Sequence, residues 1–340
     1  MAVRSKNQAW LDLVEEQAID PEIAICDPHH HLWDRQPTRE QERYLIDEML
    51  EDMSGGHNIV STVFVECSAM FKTEGPEAFR CVGETEFVNG IAAMCASGTY
   101  GKTRIAAGII GTVDFRIGDV AADVLDAHIA AGGGRFCGIR LGAVWHESAA
   151  IRNHRSNPPR DLLLRDDFRV GFKHLALRKL TFEAWVLHTQ IRNVIDLARG
   201  FPDTTIVLDH CGGPIGIGPY AGKQDEVREI WKKDTADLAQ CPNVVVKLGG
   251  LGVDYSGFEW NKNPRPPTSA ELKDASAPYF EHLIDKFGTE RCMFESNFPI
   301  DKHNFSYTVV WNSFKLLTKH YSPTERAALF HDTASRIYRL

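Results

Sequence analysis

The sequence holds no apolar run long enough to cross a bilayer, which excludes a membrane-spanning helix. Its first twenty residues are mixed and charged with no apolar signal core, so the chain reads as cytoplasmic. There is no basic cluster either. With 38 Lys and Arg against 46 Asp and Glu, the net charge of -8 argues against a nucleic-acid surface. The eight cysteines form no CxxC pair and no closely spaced framework. Cys26, Cys67, Cys137 and Cys292 fall inside apolar runs, where buried thiols are expected rather than disulfides. No internal repeat or low-complexity tract appears. The first apolar run is followed by His-x-His, not by a glycine-rich phosphate turn, which counts against an open doubly wound sheet.

What is present is a rhythm. At 43% hydrophobic and 25% charged residues, the chain can bury a large core. Short apolar runs, rich in β-branched residues, recur at 23–26, 61–67, 104–111, 136–141, 182–188, 205–210, 243–248 and 292–298. Amphipathic, helix-like segments separate them, and the last is opened by Ser322-Pro323-Thr324-Glu325, a capping box with proline at the first helical position. Eight strands alternating with helices predict parallel pairing. In this length they predict an α/β chain folded as one (β/α)8 TIM barrel over 23–340, after an N-terminal extension over 1–22. Two proline-bearing polar stretches, 145–160 and 254–268, break the rhythm and read as loop insertions over the pocket.

A barrel of this kind builds its site at the C-terminal ends of the strands. Side chains alternate along a strand, so His29 and His31 face one way and His30 the other. The other strand ends contribute Glu66, Arg140, His188, His210, Lys247 and the Glu295/Asn297 pair, with Asp301 just beyond. So many polar groups at one rim would be costly to bury without partners or purpose. Imidazoles and carboxylates suit one or two borderline divalent ions, Zn, Mn or Fe, which acidify water and polarise a carbonyl. Arg140 is read as a fork for an anionic substrate group, with Lys247, Trp33 and His146 also facing substrate.

Three motifs carry a resemblance: Asp27-Pro28-His29-His30-His31-Leu32-Trp33-Asp34, Leu208-Asp209-His210-Cys211-Gly212-Gly213-Pro214, and Met293-Phe294-Glu295-Ser296-Asn297-Phe298-Pro299-Ile300-Asp301. Together they resemble the amidohydrolase superfamily, in the branch holding sugar lactonases and 2-pyrone-4,6-dicarboxylate hydrolase. The resemblance implies a TIM barrel, hydrolysis of a lactone, ester or amide, and metal ligands at His29, His31, His188 and His210. One departure stands out. Where most of that superfamily ends the eighth strand in Asp, this chain has Asn297, which cannot take up a proton near neutral pH. Either Asp301, Glu295 or Glu66 then serves, or the reaction is not the ancestral hydrolysis, and a metal-free site stays open.

The reading that results is a metal-dependent hydrolase of a small anionic substrate, with Asp301, Arg140 and Asn297 as catalytic candidates. Its rival is a dinuclear non-haem Fe or Mn oxygenase on the same barrel, with Glu66 as an added ligand. A third is a degenerate partner subunit. The partner in the first two cases is a small molecule, not nucleic acid or membrane, and homo- and hetero-oligomers both stay open.

Overall fold

The computed structural model describes residues 6–35 and 43–340, so the first five residues of the expected N-terminal extension lie outside it. The barrel strands are β1 (Ala24–His30), β2 (Asn58–Val65), β3 (Arg104–Gly111) and β4 (Phe136–Arg140), then β5 (Thr181–Ala184), β6 (Ile206–Leu208), β7 (Val244–Leu248) and β8 (Cys292–Phe294). They lie side by side in chain order, each parallel to the next.

The ring closes above β8 rather than along it. The amide of His31 donates to the Phe298 carbonyl at 2.8 Å, and that of Asn297 donates to the His29 carbonyl at 3.0 Å. The two segments that carry the first and last motifs are thus tied to each other at the C-terminal mouth. Asp27 strengthens the seam. Its buried carboxylate accepts from Ser296 Oγ at 2.6 Å, from the Ser296 amide at 3.1 Å and from the Tyr307 hydroxyl at 2.9 Å.

Period-two alternation sorts the strands' side chains between two cores. Val63 and Val65 of β2, Val207 of β6 and Val245 of β7 point into the lumen with Cys26, Ile110, Cys137 and Met293. Their neighbours Phe64, Ile206, Leu208, Val244 and Val246 point outward under the surrounding helices. Ala334 and Tyr338, from the C-terminal helix Thr333–Tyr338, pack into the lumen cluster and plug it from below. All eight cysteines are free and buried.

The segment after β2 becomes helical only at Val82, after a short turn at Glu77–Phe79 that follows Pro76. The segment before β5 is split into two helices, Asp166–Phe172 and His174–Leu177. A small antiparallel pairing of Trp33–Asp34 with Arg43–Tyr44 was not legible from the pattern. The capping box is present: Ser322 Oγ accepts from the Glu325 amide, and Glu325 accepts from the Ser322 amide at 2.8 Å. Residues before β1 lean on a late helix, where the Ile19 amide donates to Asn312 Oδ1 at 2.8 Å. No helix among the described residues is long and apolar enough to cross a membrane.

Candidate active site

The alternation of β1 separates its histidines as expected. His30 turns outward, its Nε2 2.9 Å from Thr62 Oγ1 and its ring edge-on to Phe64. His29 and His31 stay together at the mouth, ring centroids 5.0 Å apart, and His210 lies 4.6 Å from His29. His31 donates from Nδ1 to the Val65 carbonyl at 2.7 Å.

At the centre stands Glu295, on the turn leaving β8. One carboxylate oxygen lies 2.6 Å from His29 Nδ1 and the other 2.7 Å from His210 Nδ1. All three residues are buried. Two glycines after β7 clear the space: a Cβ on Gly249 would meet Glu295 Cγ at 2.4 Å, and one on Gly250 would meet the His210 ring at 2.2 Å. The backbone is bent to suit, with His210, Cys211 and Asn297 at φ 52, 56 and 55. Asn tolerates that left-handed conformation, but two successive non-glycine residues in it mark a held, strained turn.

His29 is enclosed by fixed charges. Arg140 Nη1 approaches its Nε2 at 3.1 Å and Lys247 Nζ its Nδ1 at 3.4 Å, the nitrogen that also lies 2.6 Å from Glu295 Oε2. Burial, and then the Lys247 ammonium, hold the imidazole well below its ordinary pKa, so it is neutral. The rest of the Arg140 fork is occupied: Nε donates to Glu66 Oε1 at 2.9 Å and Nη2 to the Glu66 carbonyl at 2.5 Å. The second Glu66 oxygen is taken by Arg155. Burial alone would raise Glu66, yet Arg155 and Arg140 hold it down at about 2.

Below this layer, Lys247 is fully buried. Its Nζ is 2.5 Å from Glu183 Oε2 and 3.3 Å from Asp209 Oδ1. Glu183 in turn accepts from the Tyr338 hydroxyl at 2.8 Å. Above it, Asn297 Nδ2 donates to Asp301 Oδ1 at 2.8 Å and the Gly252 amide donates to Oδ2 at 3.2 Å. Burial pushes Asp301 up to about 7, against the pull of His210. Asp301 does not cap the following helix: Ser306 does, its side chain accepting from the Val309 amide.

A cavity of about 980 Å³ opens over these groups. His31, Arg140, His210 and Asn297 form part of its floor, with Trp33, Trp185 and Tyr255 among its walls. Both insertions contribute, 145–160 through Arg152 and Arg155 and 254–268 through Asp254 and Tyr255. Arg35, Arg140, Arg152 and Arg155 line it, whereas Asp254 is the one carboxylate among the described lining residues. In a chain of net charge -8, this is a local reversal of sign.

The expected site residues therefore divide. His29 and His210 come together with Glu295, the one group of three or more ligand-type side chains among the described residues whose donor atoms lie within 4.8 Å of one another. Two imidazoles and a carboxylate are a suitable donor set for a divalent ion. His31 borders the set but is not part of it. His188 stands apart, because its ring packs on Tyr220 and its Nδ1 faces the Ile215 amide at 3.4 Å. His146 also turns to Tyr220, 3.1 Å from its hydroxyl, and does not line the cavity. Glu66 is committed to two arginines, and Lys247 faces the lumen rather than the cavity. The sequence reading assigned no role to Arg155, Asp209 or Glu183. A lone Glu within the apolar strand 182–188 was a usable signal for the last of these; Arg155, in a polar insertion, offered none.

Comparison with known proteins agrees with this architecture. A family model described as amidohydrolase (Amidohydro_2) matches residues 26–340. An uncharacterized protein of Sinorhizobium fredii, y4mH, is 34% identical over 338 residues, covering 94% of this chain and 99% of that one. An L-fucono-1,5-lactonase of Burkholderia multivorans is 27% identical over 180 residues, 51% of this chain and 56% of that protein. Among solved structures, a zinc-bound Burkholderia multivorans protein superposes with a TM-score of 0.71 at 23% identity, over 93% of this chain and 99% of that one.

Proposed function

The chain belongs to the amidohydrolase family, and from that premise we propose that it is a hydrolase opening a lactone, or a related carboxylic ester or amide, of a small anionic substrate. The observation that carries the reading is the Glu295 carboxylate bridging His29 and His210 beneath a cavity lined by arginines. A lactonase relative supports the choice of bond.

His29, His210 and Glu295 are the residues that would hold a divalent ion. Such an ion supplies Lewis-acid polarisation of the carbonyl and a more acidic water. The remaining roles belong to the chain itself. Asp301, held by Asn297 and Gly252 with a pKa near neutrality, takes the proton from the attacking water and returns it to the leaving oxygen. Arg140 orients the His29 ring from its Nε2 side, and Glu66 keeps Arg140 in place. Arg152 and Arg35 draw in the anionic group, while Trp185 and Trp33 offer flat apolar walls to the ring.

The test is turnover of a panel of carboxylated and neutral lactones by protein purified without chelator, before and after dialysis against chelator and readdition of Zn or Mn. Ring opening that chelation abolishes and metal restores is expected. Failure to turn over any lactone, ester or amide with the ion replaced would overturn the reading.

A further inference from the structure

We propose that Arg155, carried by the 145–160 insertion, is the residue that fixes the anionic group of the substrate, and that Glu66 and Ser68 hold its guanidinium ready to do so. The proposal rests on the hydrolase reading above and names the residue that decides between charged and neutral substrates.

Four arginines line the cavity, and they are not equivalent. The Arg140 fork is spent on Glu66 and His29. The Arg35 side chain is 92% exposed, and its ion pair with Asp34 is 3.9 Å long. The Arg152 guanidinium makes no hydrogen bond or ion pair among the described residues. Arg155 is both tethered and unfinished. Its Nε donates to Ser68 Oγ at 2.7 Å, and Nη2 donates to Glu66 Oε2. A guanidinium carries five N–H groups in one plane. The remaining N–H of Nη2 and both of Nη1 bond to nothing among the described residues. They include the parallel pair at the end of the fork, which matches a carboxylate bidentately.

The tethers are themselves supported. The backbone on either side of Arg155 is pinned to the segment leaving β4: the His154 amide donates to the Val144 carbonyl at 2.9 Å, and Ser156 Oγ donates to the Gly142 carbonyl at 2.9 Å. Residue 142 must be glycine for this, because a Cβ there would meet the His154 ring at 2.4 Å. Glu66 is buried, and its other oxygen is held by Arg140. The guanidinium therefore loses little freedom when a substrate arrives, which makes a tethered arginine a better anchor than a loose one. The same contacts set a reach. Arg155, Glu66, Arg140 and His29 form an unbroken chain of hydrogen bonds, so a carboxylate on Arg155 stands at a fixed distance from the His29–His210–Glu295 centre.

The experiment compares matched carboxylated and neutral lactones. Arg155→Lys keeps the charge and loses the plane. It is expected to raise KM for the carboxylated lactones by about 10- to 100-fold, with turnover of the neutral ones unaffected. A parent-like KM would show that a point charge suffices, and equal losses on both classes would show that Arg155 only fastens the insertion; either result overturns the proposal. Should that variant not fold, Ser68→Gly is read instead, since φ 63 at this position suits glycine and one tether is removed. A rise in KM of about 3- to 10-fold, confined to the carboxylated lactones, is then expected, and an unchanged KM would overturn the proposal. Titration calorimetry with the ring-opened dicarboxylates separates binding from hydrolysis. Binding that Arg155→Lys weakens, in a protein that opens no lactone, would keep Arg155 and sink the hydrolase reading. Turnover with equal effects on charged and neutral substrates would do the reverse.

Discussion

The side-chain amide of Asn297 donates to Asp301 Oδ1 at 2.8 Å, so a residue that cannot accept a proton holds one that can. Four positions separate them, and the turn through Phe298-Pro299 brings Asp301 back over the rim. Asp301→Asn keeps an acceptor for one of Asn297 and Gly252, turns an NH2 toward the other, and removes the base. A fall of about 100-fold or more in kcat/KM is expected in a variant that still folds cooperatively, with a loss of stability of about 1–3 kcal/mol at most. Near-normal turnover would hand the role to Glu295, because Glu66 is held at about 2 by its two arginines and is too weak a base.

Arg140 was expected to grip substrate, yet its fork is occupied by Glu66 and His29. Lysine cannot reproduce three directed N–H groups. Arg140→Lys is therefore expected to lower stability by about 3–5 kcal/mol, the range for breaking a buried pair, and to impair catalysis through His29. Thermal unfolding checks this, and a normal melting temperature with only a raised KM would return Arg140 to the substrate.

Arg152 tests the anionic substrate. Its guanidinium makes no hydrogen bond or ion pair among the described residues, and it lines the cavity. Arg152→Gln should raise KM for carboxylated lactones by about 10-fold while leaving kcat and neutral lactones unaffected, and added salt should shrink the difference. Equal effects on charged and neutral substrates would argue against a charge contact.

Glu84 makes the stability pH-dependent. It accepts from the amides of Cys67 and Ala69 at 2.9 and 2.7 Å, and its other oxygen is buried without a hydrogen-bond partner. Burial, and then the nearby Glu66, raise it from 4.5 to about 7. Between those values the unfolded chain has released the proton that the native state keeps, so this group's contribution falls as pH rises across that window. The full effect is on the order of 3 kcal/mol. Glu84→Gln removes it, so the melting temperature of the variant relative to the parent should climb from about pH 4.5 to about pH 7 and level off above. A difference that does not change with pH would show that Glu84 does not titrate in this range.

By itself the sequence determined the barrel, its eight-step alternation, the buried free thiols, the helix opened at Ser322 and the shared facing of His29 and His31. These follow from local periodicity: a strand's period of two and a helix's cap are set by neighbours a few residues away. Tertiary structure alone decided which charged groups meet. Arg140 and Glu66 are 74 positions apart and His210 and Glu295 are 85, so no local pattern records those pairings. A histidine at a strand end can turn to the rim, as His210 does, or away to Tyr220, as His188 does, depending on the loop that follows. The same holds for Lys247. Its strand sets that it faces inward, but whether an inward lysine reaches substrate or is neutralised by Glu183 and Asp209 depends on what the other strands place opposite it.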